Sequence, residues 1–228
     1  MEKIKRPLRP VRSFVRREGR ITPAQKKAVD ALDRVYGIDP ALGIDANYPF
    51  PRQTEVTLEI GFGDGDTLLS LAKANPAKGY LGIDPHRPGA GRLLLRLEKE
   101  SISNVRVVIG DAAELIPSLI PNAYLTEALV LFPDPWPKKR HVKRRLIDTE
   151  FMSMLISKLK PGGHLHLATD WQEYAEQMLN VMNQVEGLET KPGGAQFSAR
   201  PAWRPVTKYE RRGLRLGHAV FDLCATRK

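Results

Sequence analysis

From Val56 onward the chain alternates short apolar runs with helical patterns, and the alternation repeats about every 25 residues. Apolar runs of strand length separated by single helices make βαβ units, whose crossovers cover both faces of a parallel sheet. Residues 56–60, 80–83, 105–109, 125–132 and 164–168 are read as strands of that sheet. Helices are placed around 68–72, 93–97, 112–120, 146–159 and 171–185. Two later runs, a weak one at 188–191 and a strong one at 219–225, flank a basic, proline-containing loop. The expected class is α/β, with ligands at the carboxyl rim of the sheet.

The first 50 residues follow another logic. Lys3, Lys5, Arg6, Arg9, Arg12, Arg16, Arg17 and Arg20 face only Glu2 and Glu18 in a stretch without periodicity, so it is expected to be partly flexible. Thr22-Pro23-Ala24-Gln25 reads as a capping box opening one short helix, with Ala28, Leu32 and Val35 on its apolar face. The expected organisation is a basic extension over 1–50 and a catalytic domain over 51–228. Lys and Arg total 36 against 26 Asp and Glu, a formal charge of +10, which favours a polyanionic partner such as nucleic acid. Cys224 is the single cysteine, so an intramolecular disulfide and a cysteine-based zinc site are excluded. No metal ligand set is read among the five histidines, and His164 and His166 are taken as packing residues on one strand face. The charged N-terminus and the lack of a long apolar segment point to a cytoplasmic protein with no membrane partner, and a monomer is favoured.

Gly61-Phe62-Gly63-Asp64-Gly65 follows the first strand and opens a helix, where backbone approaches a nucleotide-like ligand closely. A dinucleotide fingerprint places its third glycine one residue later, and an acid beside the loop repels a pyrophosphate. S-adenosylmethionine has no phosphate and carries a sulfonium and an ammonium, which suit Glu59, Asp64 and Asp66. Asp84 ends the second strand, where it is expected to accept the ribose hydroxyls. Asp111 ends the third, to bind the adenine amino group or to cap the following helix. A nicotinamide oxidoreductase would leave the basic segments idle, and a non-catalytic RNA-binding protein would leave the acids at successive strand ends unexplained.

The fourth strand runs into Phe132-Pro133-Asp134-Pro135-Trp136-Pro137 and then Lys138, Lys139, Arg140, His141, Lys143, Arg144 and Arg145. Prolines on either side of Asp134 preorganise one carboxylate beside six cations. The fifth strand ends at Ala168-Thr169-Asp170-Trp171, and the late loop adds Arg200, Arg204 and 205–213. With Trp136, Trp171, Trp203 and Tyr209 among them, these segments suit a phosphate-contacting and base-stacking surface.

In Glu59-Ile60-Gly61-Phe62-Gly63, Phe132-Pro133-Asp134-Pro135-Trp136, Ala168-Thr169-Asp170-Trp171 and Arg204-Pro205-Val206-Thr207-Lys208, the sequence resembles the bacterial tRNA (guanine-N7)-methyltransferases of the TrmB type. The resemblance implies a Rossmann-like, seven-stranded S-adenosylmethionine-dependent methyltransferase fold and methylation of guanine 46 in the tRNA variable loop. It implies Glu59, Gly61, Gly63, Asp84, Asp111 and Asp134 at the cofactor and Asp134 as the catalytic residue. Lys138, Asp170, Thr207, Lys208, Tyr209 and Glu210 are implied at the substrate, and Arg140, His141, Lys143, Arg144 and Arg145 at RNA. Members of that family often carry glutamate where Asp84 stands. Guanine N7 already offers a lone pair, so the expected role of Asp134 is orientation and electrostatic stabilisation rather than proton removal.

Overall fold

The computed structural model describes residues 20–45, 48–51, 54–189 and 196–228; residues 1–19, which carry the expected basic tail, lie outside it. The short helix is α1 (Pro23–Tyr36), and its capping box forms in both directions. The Gln25 amide donates to Thr22 Oγ1 at 3.2 Å and the Thr22 amide to Gln25 Oε1 at 2.9 Å. The buried face carries Gln25, Ala28, Val29 and Tyr36, whereas Val35, expected inside, is 59% exposed and the Leu32 side chain lies outside the described residues. Packing explains the rotation: α1 lies on Gly91 of a later helix, where a Cβ would stand 2.7 Å from the Gln25 carbonyl oxygen.

The βαβ run then unfolds as β1 (Val56–Ile60), α2 (Asp66–Ala74), β2 (Gly79–Ile83), α3 (Arg87–Lys99), β3 (Val105–Val108), α4 (Ala112–Leu119), β4 (Leu125–Leu131), α5 (Thr149–Lys158), β5 (Leu159–Thr169) and α6 (Gln172–Gln184). It finishes with β6 (Leu188–Glu189), β7 (Phe197–Ser198), α7 (Lys208–Arg215) and β8 (Phe221–Arg227). The sheet order is β3-β2-β1-β4-β5-β8-β6, with β7 also on β8. Pairs from β3 through β5 are parallel and those to β8 antiparallel. Chain order reverses between β1 and β4, and at such a switch point adjacent loops diverge and leave a crevice.

Period-two alternation divides the strands between two apolar layers. Val56, Leu58, Ile60, Leu81 and Ile83 face the layer of α4, α5 and α6, with Ile116, Phe151, Met152 and Met178. Tyr80, Val105, Val107 and Leu129 face α1, α2 and α3, where Leu68, Leu93, Leu94 and Leu97 are at most 1% exposed. Burying each such leucine contributes about 1.5–3 kcal/mol. Glu59 and Thr57 stand on β1 between the residues of the first layer, so alternation turns them towards α2.

Several boundaries differ from expectation. The sheet has eight strands rather than seven, the addition being the two-residue β7 against Leu223 and Asp222. The 146–159 helix begins at Thr149, because Asp148 caps it by accepting from the Phe151 amide at 2.8 Å, and the basic segment before it winds into a 3₁₀ turn, Lys139–Arg144. β5 starts at Leu159 rather than 164, pairing Leu159 with Leu125 before a register shift. The late loop holds α7, opened by a second capping box between Thr207 and Glu210.

Candidate functional site

The loop after β1 takes its shape from glycine: Gly61, Gly63 and Gly65 have φ of 76°, 58° and 77°, a region costly for residues with a Cβ. Asp84, at the end of β2, fastens this loop from across the strand. Its Oδ2 accepts from the Gly63 amide and its Oδ1 from the His86 amide, both at 2.7 Å. Burial pushes its pKa up, and those two amide bonds work in the opposite direction. Gly89 of α3 seals the approach, since a Cβ there would stand 2.1 Å from the Gly63 carbonyl oxygen. Beside Gly61 the space is open, with nothing within 4 Å of where a Cβ would be.

Glu59 is 3% exposed, and its Oε2 has no hydrogen-bond partner among the described residues. Burial, followed by repulsion from Asp84, pushes its pKa up to about 8 against the Leu68 amide and Thr67 hydroxyl bonds. Asp64 and Asp66, expected to join it, are instead turned to α3, paired with Arg92 at 2.6 Å and Arg96 at 2.5 Å. Asp111 caps α4, accepting from the Ala113 amide at 3.1 Å.

Across the switch point, the 132–137 loop holds Asp134 at the surface, and its charge is felt at Asp84. Phe132 and Trp136 both have positive φ, 54° and 44°. For bulky residues such backbone costs about 1–3 kcal/mol each and persists where surroundings over-determine it. The surroundings are visible: the Phe132 amide donates to the Ala168 carbonyl at 2.7 Å, and Arg145 Nε donates to the Pro135 carbonyl at 2.9 Å. Trp136, expected as a stacking surface, is 8% exposed, with the Arg144 guanidinium 4.9 Å above its ring and the His141 ring meeting it edge-on at 5.5 Å.

The basic segment therefore divides. Lys138, Lys139, Arg140 and Lys143 are exposed, while His141 and Arg144 are half-buried around Trp136. Arg145, expected at RNA, is 5% exposed, and its Nη1 donates to Gln177 at 2.6 Å. It lies over the Tyr174 ring at 5.0 Å, so it fastens the loop to α6 instead of reaching outward.

Asp170 follows β5, half-buried, with His218 Nδ1 3.7 Å from its Oδ2. Gly213 lets α7 approach it, as a Cβ there would stand 3.1 Å from that same oxygen. Thr207 caps α7, and Lys208 and Tyr209 form its first turn, their side chains lying outside the described residues. Glu210, expected to bind substrate, is 4% exposed with both oxygens engaged by Arg204. Arg204 itself, read as a surface cation, is 0% exposed. His166 is more than packing: it is 2% exposed, and its Nε2 donates to Asp222 at 2.7 Å. Burial works to raise the Asp222 pKa, yet bonds from His166 and Arg204 outweigh it and hold the carboxyl below its ordinary value. The signal for Arg204 was present, since Asp222 and His166 sit inside apolar strand runs and a buried carboxylate requires a partner.

Comparison with known proteins assigns the chain to a family. Residues 53–223 match the profile of the Methyltransf_4 methyltransferase family. A tRNA (guanine-N(7)-)-methyltransferase of Methylococcus capsulatus is 49% identical over 217 residues, covering 95% of this chain and 94% of the relative. Its counterpart from Nitrosococcus oceani is 51% identical over 216 residues, covering 94% and 90%. Among solved structures, the 16S rRNA methyltransferase KamB aligns with a TM-score of 0.56 at 16% identity, covering 93% of this chain and 97% of that one, a likeness of fold. The chain belongs to the bacterial tRNA (guanine-N7)-methyltransferase family.

Proposed function

We propose that this chain methylates N7 of guanine 46 in the tRNA variable loop, in the cytoplasm, with S-adenosylmethionine as donor. The observation that carries this reading is the pairing, at one switch point, of a buried acid with an exposed acid. Glu59 is the first, its buried Oε2 unpartnered among the described residues, and Asp134, held between two strained aromatic residues, is the second. The residues fit the donor: Glu59 suits an ammonium, the open space beside Gly61 admits a ligand against backbone, and Asp84 and Asp111 offer acceptors at successive strand ends. Bound there, the donor supplies an electrophilic methyl on a sulfonium.

The chain's own residues supply orientation and charge. Guanine N7 carries no proton, so Asp134 removes none; it accepts from the purine N1 and exocyclic amino groups. There it stabilises the positive charge that methylation creates. Asp170 flanks the same base, with Lys138, Thr207, Lys208 and Tyr209 around the nucleotide. Arg140, His141, Lys143 and Arg144 meet phosphates, His141 and Arg144 being joined by their contacts with the Trp136 ring.

The test is incubation of the purified chain with S-adenosylmethionine and an unmodified tRNA transcript, followed by mass mapping. A single methyl on the variable-loop guanine, absent when that guanine is replaced by adenine, is the expected result. Methylation elsewhere, or equal methylation of the altered transcript, overturns the reading.

A further inference from the structure

Arg204 stands where four parts of the molecule meet. Its Nη1 donates to Glu210 Oε2 at 2.6 Å and its Nη2 to Glu210 Oε1 at 3.2 Å. On its other side Nη2 donates to Asp222 Oδ2 at 3.0 Å, and Nε lies 2.9 Å from Asp222 Oδ1. The guanidinium carbon is 5.8 Å from the centroid of the Phe132 ring, the strained residue that opens the Asp134 loop. Asp222 is held in turn by His166 of β5, whose ring meets that of Trp203 edge-on at 5.3 Å. One planar cation thus joins α7, β8, β5 and the 132–137 loop.

What Glu210 does with the rest of its oxygens extends the chain of contacts. Oε2 also accepts from the Thr207 amide at 3.4 Å, and the Glu210 amide donates to Thr207 Oγ1 at 3.1 Å. Arg204 therefore grips the capping box itself, fixing where α7 begins. Six residues on from Thr207, past one more turn, Gly213 of the same helix abuts Asp170. A helix anchored at its first turn and in contact with Asp170 at its sixth residue cannot slide without displacing that carboxylate.

Buried ion networks add little net stability compared with apolar residues of equal volume. What a planar, five-donor guanidinium supplies that an apolar side chain does not is a fixed angle between the carboxylates it bridges. We infer that Arg204, acting through Glu210 and Asp222, is the positioning residue that sets Thr207 and Asp170 against the Asp134 loop. The inference rests on the functional reading above, in which those groups surround the guanine. It assigns Glu210 to the same positioning network rather than to substrate contact.

Arg204→Lys keeps the charge and loses the fork; Glu210→Gln keeps the shape and loses the charge. Each variant is assayed for single-turnover methylation of the unmodified transcript, for S-adenosylhomocysteine affinity by calorimetry, and for amide hydrogen exchange along α7. Displacement by about an ångström costs on the order of 10²-fold in rate, and that loss is expected for Arg204→Lys. S-adenosylhomocysteine affinity should stay within about threefold, and protection should fall in the first turn of α7 but not in β1 or β4. Because the two residues act as one unit, the double variant should be no slower than the worse single variant by more than about threefold. Wild-type rate and wild-type α7 protection in folded Arg204→Lys would overturn the inference, as would a loss of cofactor affinity equal to the loss of rate. If Arg204→Lys does not fold, Glu210→Gln carries the same rate, affinity and exchange criteria alone. A wild-type chain that leaves the transcript unmethylated removes the functional reading and this inference with it. An active wild type with unaffected variants removes only the inference.

Discussion

In the half of the rim formed by 61–65 and Asp84, backbone amides point at a carboxylate one strand away, and the glycine φ values set the path between them. In the half formed by 132–137 and 200–218, the anchors are side-chain charges buried among aromatic rings, joining Arg204 to Glu210, Asp222 and, through it, His166. The difference separates two ways of building a site. The first half is held by a strand-loop-helix unit whose geometry the sheet already dictates. The second is assembled from segments as far apart as β5 and β8, and it exists only while a few charged groups remain paired.

The largest effect should come from the exposed acid of the second half. Asp134→Ala is expected to lower single-turnover methylation by on the order of 10²–10³, the range for losing one preorganised electrostatic partner. Asp134→Asn should be less severe because its amide oxygen still accepts one bond. Neither should change S-adenosylhomocysteine affinity by more than a few-fold, and both should fold, since Pro133 and Pro135 and the Arg145 contact hold the turn. Near wild-type turnover in Asp134→Ala would place the chemistry elsewhere.

The basic segment separates outward cations from inward ones. Replacing Lys138, Lys139, Arg140 and Lys143 with glutamine removes four exposed charges. The log-log dependence of tRNA affinity on salt should flatten by roughly 3 if those groups neutralise phosphates. Arg145→Gln is the internal comparison. Its side chain is buried against Pro135, Gln177 and Tyr174, so it should lower the melting temperature while leaving the slope unchanged. An unchanged slope in the fourfold variant, or a changed one in Arg145→Gln, would reverse the division.

In the first half, Asp84→Ala removes one proposed ligand acceptor and strands the Gly63 and His86 amides. Hydrogen bonds to a charged acceptor contribute about 1.5–3 kcal/mol each, so S-adenosylhomocysteine should bind more than tenfold more weakly. Calorimetry on a folded variant with unchanged affinity would limit Asp84 to shaping the loop.

How far each half was legible follows from the same contrast. The strands, the crossover helices and the acids at their ends were readable because periodicity and glycine spacing are local properties. Asp64 and Asp66 were misassigned because their partners, Arg92 and Arg96, lie a helix away and belong to another periodic pattern. The basic segments were harder: charge in sequence says surface, yet Arg145 and Arg204 are interior, the first drawn in by Gln177 and Tyr174, about 30 residues away, and the second by the nearby Glu210 together with Asp222. α7 was read as loop because its buried residues are few and its opening depends on the Thr207 and Glu210 pair, a capping signal inside a proline-containing stretch.

The smallest effect is a pH dependence that runs oppositely in the two halves. Glu59 has its pKa raised to about 8 in the folded chain, chiefly by burial, from an ordinary value of 4.5. Where the folded state holds a proton that the unfolded state has lost, stability falls as pH rises. The Glu59 contribution is therefore fully present below about 4.5 and is lost on the way to about 8. Asp222 behaves in reverse, since its pKa is held below the ordinary 3.8; its contribution is present above that value and lost as pH falls. The proposed donor carries an ammonium that pairs with ionised Glu59, so binding below about 8 expels a proton. S-adenosylhomocysteine affinity should then drop about fivefold between pH 8 and pH 7. Calorimetry at pH 7 in buffers of different ionisation enthalpy should register the release of nearly one proton. Glu59→Gln should bind more weakly, release none and lose the pH dependence, and its urea midpoint should fall less than that of the wild type between pH 5 and pH 8. Pairing of the ligand's ammonium with another group would appear as a pH-independent affinity in the wild type, and that outcome would remove Glu59 from the ligand while leaving Asp84 and the glycine loop in place.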